Sequence, residues 1–169
     1  MLKQVNWNYD LYLPSIVDVL PHVVNVPKSL QPDFKWSRNK SHVPMIIGIP
    51  TVKREKQSYL DSTLKSIFGH ISVEEAKDVL VILMIAEPND IEYIKTTALA
   101  IRGDFSKQMD EGLLEIIAPP STFYPDFSSY PDWKIWRSKQ NLDHAYLMMY
   151  AKQRGSAYYV QLTDDIVVG

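Results

Sequence analysis

Val79-Leu80-Val81-Ile82-Leu83-Met84-Ile85-Ala86 is the longest uninterrupted apolar run in the chain. It is far shorter than the ~20 apolar residues a membrane-spanning helix requires, and it has the length of a strand. A strand that is apolar at every position is covered on both faces, as happens in parallel sheets flanked by helices. Shorter, largely apolar runs lie on either side. Met45-Ile46-Ile47-Gly48-Ile49 is ended by Pro50, and Leu113–Ile117 and Tyr158–Leu162 follow later. Ile166-Val167-Val168 is expected to start one more strand. Between these runs the apolar spacing turns helical. Ser58–Phe68 carries Tyr59, Leu60, Leu64, Ile67 and Phe68. Asp90 opens a helix as N-cap, with Ile91, Ile94, Ala98 and Ile101 on one face. Ser138–Gln153 carries Leu142, Ala145, Tyr146 and Met149, and Gly155 suits the position just past its end. Alternating strands and helices predict an α/β fold with a mostly parallel sheet.

The remaining composition bounds the function. The chain has 169 residues, enough for one domain. Hydrophobic residues make up 46% and charged residues 22%, so wholesale disorder is excluded. Eighteen basic against twenty acidic side chains leave no bulk positive field, which argues against a nucleic-acid binder held by charge. The absence of cysteine excludes a disulfide scaffold, a thiolate metal site and a cysteine nucleophile. The first residues are too polar for a secretory signal. Prolines at 14, 21, 27, 32 and 44 make residues 1–44 read as an extended or irregular N-terminal arm, with the domain spanning 45–169.

In open parallel sheets ligands sit beyond the carboxyl ends of the strands, so each strand exit is informative. After the first strand, Lys53, Arg54 and Lys56 form either a cationic site for a phosphate-bearing ligand or a solvated loop. No G-x-G-x-x-G or P-loop fingerprint is present. After the second strand, Glu87 and Asp90 are placed to meet a nucleobase or ribose, although Asp90 also caps its helix. The loop from Pro119 to about Asp132 is rich in proline and aromatic residues, which either stack on a ligand or anchor the loop. Arg137 and Lys139 fall at or just before the start of the next helix, against the dipole preference; they face an anion or form a solvated basic end. After the fourth strand come Thr163-Asp164-Asp165. Adjacent carboxylates between buried strands are costly unless paired or metal-bound, and oxygen ligands suit Mg²⁺ or Mn²⁺. His22, His42, His70 and His144 show no ligand spacing and read as structural or surface residues. A receiver-like Mg²⁺-binding domain is disfavoured, because Thr51 and basic residues follow the first strand where that fold needs an acid.

Several segments, in order, carry a resemblance: Ile47-Gly48-Ile49-Pro50-Thr51-Val52-Lys53-Arg54-Glu55, Gly112-Leu113-Leu114-Glu115, Tyr124-Pro125-Asp126, Lys139-Gln140-Asn141-Leu142-Asp143, Leu147-Met148-Met149-Tyr150-Ala151 and Tyr158-Tyr159-Val160-Gln161-Leu162. Over about residues 44–169 the chain resembles the N-acetylglucosaminyltransferase IV family, glycosyltransferase family 54. The resemblance implies a GT-A-like fold, a UDP-GlcNAc donor, a divalent metal with Mn²⁺ foremost, and inverting β1,4 transfer of GlcNAc to the α1,3-mannose arm of an N-glycan acceptor. It implies the Golgi lumen and a membrane anchor that lies outside this chain, where Asn39 of the Asn39-Lys40-Ser41 sequon is open to glycosylation. It places the metal on Asp165, the nucleotide sugar near Lys53, Arg54, Glu87, Asp90, Arg137, Lys139 and Asp164, and a share of nucleotide or metal-water binding on Thr163, where the family usually carries Glu. The general base is expected beyond Gly169, so the fold reads as truncated after the metal motif. That reading also implies an alternative: a non-catalytic relative that binds and modulates another glycosyltransferase.

Overall fold

The computed structural model of the chain describes residues 20–23, 26–54 and 58–169. The strands are β1 (Phe34–Trp36), β2 (Met45–Thr51), β3 (Val79–Ile85), β4 (Leu114–Ala118) and β5 (Tyr158–Gln161). The helices are α1 (Leu60–His70), α2 (Glu75–Asp78), α3 (Ile91–Asp104), α4 (Ser106–Asp110) and α5 (Asp132–Gln153). Short 3-10 turns occur at Pro21–Val23, Pro27–Leu30 and Ser121–Phe123. The five strands form one sheet in the order β1-β4-β3-β2-β5. Pairings among β2, β3, β4 and β5 are parallel, and only β1 runs antiparallel, against β4. This is the mostly parallel α/β arrangement expected from the apolar runs.

β3 shows why its sequence lacks alternation. All seven of its residues are buried. Val79, Val81, Leu83 and Ile85 join Leu64, Ile67, Ile94 and Ile101 of α1 and α3 in one core layer. Leu80, Ile82, Met84 and Ala86 join Leu142, Tyr146, Leu147 and Tyr150 of α5, together with Val23 and Phe123, in the other. Each Val, Leu, Ile, Met or Phe among them contributes about 1.5–3 kcal/mol by leaving water. The central strand therefore ties two helical layers together, and its alternate side chains serve opposite layers.

Local chemistry sets the element ends. Asp90 Oδ1 accepts a hydrogen bond from Tyr93 N at 2.9 Å, so the expected N-cap of α3 is in place. Gly155 follows α5 with φ 76°, a left-handed conformation that fits its expected role past the helix end.

Two expectations are corrected. α5 begins at Asp132, not Ser138. Pro131 precedes it and Asp132 lies in its first turn, which places an acid at the positive end of the dipole. Arg137 and Lys139 therefore lie within the helix and not at its start. Ile166–Val168 form no strand. Hydroxyls of α1 hold this segment instead. Thr63 Oγ1 donates to the carbonyls of Asp164 and Ile166, each at 3.0 Å, and Ser66 Oγ accepts from Val168 N at 2.8 Å. Within the arm, Phe34–Trp36 is a strand, in register with Ala118, Ile117 and Ile116 of β4. Of the cations after β2, Lys56 lies outside the described residues.

At Gly48, mid-strand in β2, an added Cβ would lie 2.3 Å from the Tyr159 hydroxyl and 2.8 Å from its ring. Tyr159 in turn donates to Gln161 Oε1 at 2.5 Å. Gly48→Ala is expected to force the ring aside and cost about 1–3 kcal/mol. Thermal unfolding reads this, and an unchanged melting temperature would refute the close-approach argument.

Candidate functional site

β2, β3 and β5 are parallel, so their carboxyl ends open on the same side of the sheet. A cavity of about 580 Å³ lies there. Its floor takes Lys53 and Arg54 from beyond β2, Glu87 from beyond β3, and Thr163, Asp164 and Asp165 from beyond β5. Its other wall is the amino-terminal half of α5.

The two adjacent aspartates differ sharply. Asp164 has a side chain only 6% exposed. Its Oδ2 accepts from Thr51 Oγ1 at 2.7 Å, and its Oδ1 accepts from Arg54 Nη2. Both oxygens are thus engaged, which offsets the desolvation of a buried carboxylate. The hydrogen bond to Asp164 pushes the Arg54 guanidinium further above its ordinary pKa, and the charge of Asp165 adds to that. Asp165 is 46% exposed, and Arg54 Nη2 lies 3.6 Å from its Oδ2. One aspartate holds the floor together, and the other presents its carboxylate to the cavity.

Lys53 and Glu87 are also linked, since Lys53 N donates to Glu87 Oε1 at 2.9 Å. The Lys53 ammonium pairs with Asp90 Oδ2 at 2.8 Å. Hydrogen bonding from Lys53, and then from Tyr93 N, holds the Asp90 carboxyl below its ordinary pKa. Asp90 braces Lys53 from behind and is not part of the cavity lining. Arg137 is exposed and also lies off the lining.

Lys139 makes structural contacts. Its ammonium donates to the Ala86 carbonyl at 2.6 Å and to Asp143 Oδ2 at 3.0 Å. Asp143 Oδ1 accepts from the Tyr124 hydroxyl at 2.5 Å. Burial pushes the Asp143 carboxyl above the usual aspartate range, against the pull of Lys139. Burial, and then the charge of Asp143, also push the Tyr124 phenol upward. This chain of contacts pins α5 to the end of β3 and to the loop that precedes the helix.

Among the described residues, no three His, Asp or Glu side chains converge as a metal cage. Asp165, lining the cavity, offers a half-exposed carboxylate. That donor set suits a hard divalent ion completed by water and a ligand's phosphate oxygens, not one enclosed by protein.

Residues 11–169 match the family described as the MGAT4 conserved region. The chain belongs to the MGAT4 family. It is 41% identical over 99% of its length to the alpha-1,3-mannosyl-glycoprotein 4-beta-N-acetylglucosaminyltransferase A of Gallus gallus, covering 32% of that protein. Identity to the A enzyme of Mus musculus is also 41% over 99% of the chain, covering 32% of that protein. To the B enzyme of Mus musculus it is 42% over 96% of the chain, covering 31% of that protein. The chain thus spans about a third of the length of these curated relatives. No solved structure gives a significant match. The MGAT4 assignment agrees with the resemblance carried by the strand-exit motifs.

In this MGAT4 chain the cavity gathers six of the expected residues directly: Lys53, Arg54, Glu87, Thr163, Asp164 and Asp165, with Lys139 on the facing wall. Sequence reasoning missed Thr51, Trp136, Gln140, Asp143 and His144. The i, i+4 spacing of Lys139 and Asp143 was a usable signal for their ion pair. Nothing local marked Thr51 as the partner of an aspartate 113 positions away.

Proposed function

We propose that this stretch is the donor-binding part of an inverting N-acetylglucosaminyltransferase. It holds UDP-GlcNAc, with a divalent cation such as Mn²⁺, for β1,4 transfer to the α1,3-mannose arm of an N-glycan. One observation carries the reading: Asp165 is left half-exposed in a cavity whose neighbouring aspartate is fully engaged by Thr51 and Arg54. Family membership and the activities named for the relatives support the reaction class. The fold proposed is GT-A-like, and a sheet that opens its strand exits onto one cavity supports it.

In this assignment Asp165 is the protein ligand of the cation. A bound divalent cation neutralises charge developing on the leaving diphosphate. Arg54, held by Asp164, and Lys53, held by Asp90, set positive charge along the same floor. Glu87 fixes the Lys53 backbone and so the path of the chain beneath the ligand. Thr163 is exposed at the cavity and offers a neutral hydroxyl to the nucleotide or to the cation's water. The acceptor-side groups, including the general base, are assigned to parts of the enzyme other than this stretch. The Golgi lumen is the proposed location. Asn39 is exposed, with a left-handed φ of 57°, which leaves its side-chain amide accessible to glycosylation.

Calorimetry on the chain tests the site. UDP is expected to bind in the presence of Mn²⁺ and to lose most of its affinity in EDTA. Equal binding in both conditions would remove the cation from the assignment.

A further inference from the structure

The two sides of the cavity differ in chemistry. The floor carries most of the charges, at Lys53, Arg54, Glu87, Asp164 and Asp165. On α5 the cavity is lined by Trp136, Gln140 and His144, which recur every fourth residue and so form one stripe along the helix. The charged residues beside that stripe neutralise each other, since Lys139 and Asp143 form an ion pair at 3.0 Å. The stripe is therefore a flat aromatic surface flanked by an amide and an imidazole, next to a region of no net charge. Trp136 is 65% exposed, although it projects from a helix anchored by the Lys139 contact to Ala86. A large aromatic ring left in water on a rigid, cavity-facing wall is ready to cover an amphipathic ligand face at little conformational cost.

We propose that Trp136, Gln140 and His144 form the pyranose subsite for the hexosamine ring of the nucleotide sugar. This rests on the donor reading given above. A diphosphate belongs against the charged floor, beside Lys53, Arg54 and the cation proposed on Asp165, and the sugar attached to it is neutral, with apolar C–H faces and hydroxyls at its edge. The ring face stacks on Trp136. Gln140, with both donor and acceptor atoms, and His144 take the hydroxyls or the acetamido group. A cavity of about 580 Å³ accommodates both ends of such a ligand.

The test compares UDP with UDP-GlcNAc on the chain in Mn²⁺. Trp136→Ala is expected to leave UDP affinity unchanged and to weaken UDP-GlcNAc about tenfold, to near the affinity of UDP alone. UDP-GlcNAc, but not UDP, is expected to quench tryptophan fluorescence in the wild-type chain, and Trp136→Phe should abolish the quench. Trp133, 67% exposed on the same helix but off the cavity, is the control, and Trp133→Ala should change nothing. Equal losses for UDP and UDP-GlcNAc in Trp136→Ala would mean that the ring stacks on the base, overturning the proposal. No change in either would place the sugar elsewhere and also overturn it. Failure of the wild-type chain to bind UDP at all would instead strike the donor reading on which the subsite depends.

Discussion

Asp165→Asn is expected to weaken Mn²⁺-dependent UDP binding by about a hundredfold or more while leaving the melting temperature of the chain in place. Asp164→Asn is expected to do something different. The physical reason is the division of labour between adjacent side chains. Asp165 is half-exposed, with one cation at 3.6 Å, so losing its charge removes little from the fold. Asp164 is buried, and its two oxygens satisfy the Thr51 hydroxyl and the Arg54 guanidinium. An amide there presents a donor where two acceptors are required and weakens the hold on Arg54. Its cost is about 1–3 kcal/mol, or about 2–4 °C in melting temperature per kcal/mol for a chain of this size. Calorimetry with Mn²⁺ and thermal unfolding of the two variants separate the roles. If Asp165→Asn melted early and Asp164→Asn did not, the assignment of the two aspartates would be reversed.

The second large effect lies at the opposite end of the sheet. Glu115, in β4, is 1% exposed and accepts from Arg154 Nη2 at 2.8 Å, from the Tyr150 hydroxyl and from Ser37 Oγ. Its partners come from the far end of α5 and from the residue after β1, so one carboxylate joins helix, central sheet and edge strand. Glu115→Ala is expected to destabilise the chain by about 3–5 kcal/mol, because it leaves the Arg154 guanidinium, only 11% exposed, without its counter-charge. That is a large fraction of the ~5–15 kcal/mol that holds a typical domain folded. Glu115→Leu combined with Arg154→Leu is expected to recover much of the loss, since neither buried charge remains. Urea unfolding of the single and double variants measures this. A single-variant cost below about 1 kcal/mol would show that the network is worth no more than a surface pair.

The parts of this fold carried by burial were legible in the residues. Largely apolar runs marked β2, β3 and β4, unbroken in β3 and interrupted by Glu115 in β4, because both faces of those strands are covered. Strands and ends held by few contacts were not. β1 has three residues and gains its place only by pairing with β4, a partner about eighty positions away. Ile166–Val168 carries strand-like side chains, yet hydroxyls of α1 capture its backbone. The start of α5 was read six residues late because Asp132–Arg137 lacks an apolar stripe; this part of the helix is largely exposed. At the site, strand-exit logic located Lys53, Arg54, Glu87 and Asp165. The pairings that decide what each does, Lys53 with Asp90 and Asp164 with Thr51, cross 37 and 113 positions, and only the folded chain brings them together.

The hydroxyl contacts from α1 have a dynamic consequence. Beyond β5 the chain leaves the ladder after the single bond from Leu162 N to Gly48 O, and side chains hold it from there. Such a segment opens by breaking side-chain contacts, the Asp164 pairs with Thr51 and Arg54 among them, without unpairing the ladder, so its amides are expected to exchange through local opening and not global unfolding. The carboxylates at 164 and 165 ride on that segment. A ligand bound across them and the floor therefore gains affinity only after closing this local opening, and it returns the difference as protection of the segment that holds it.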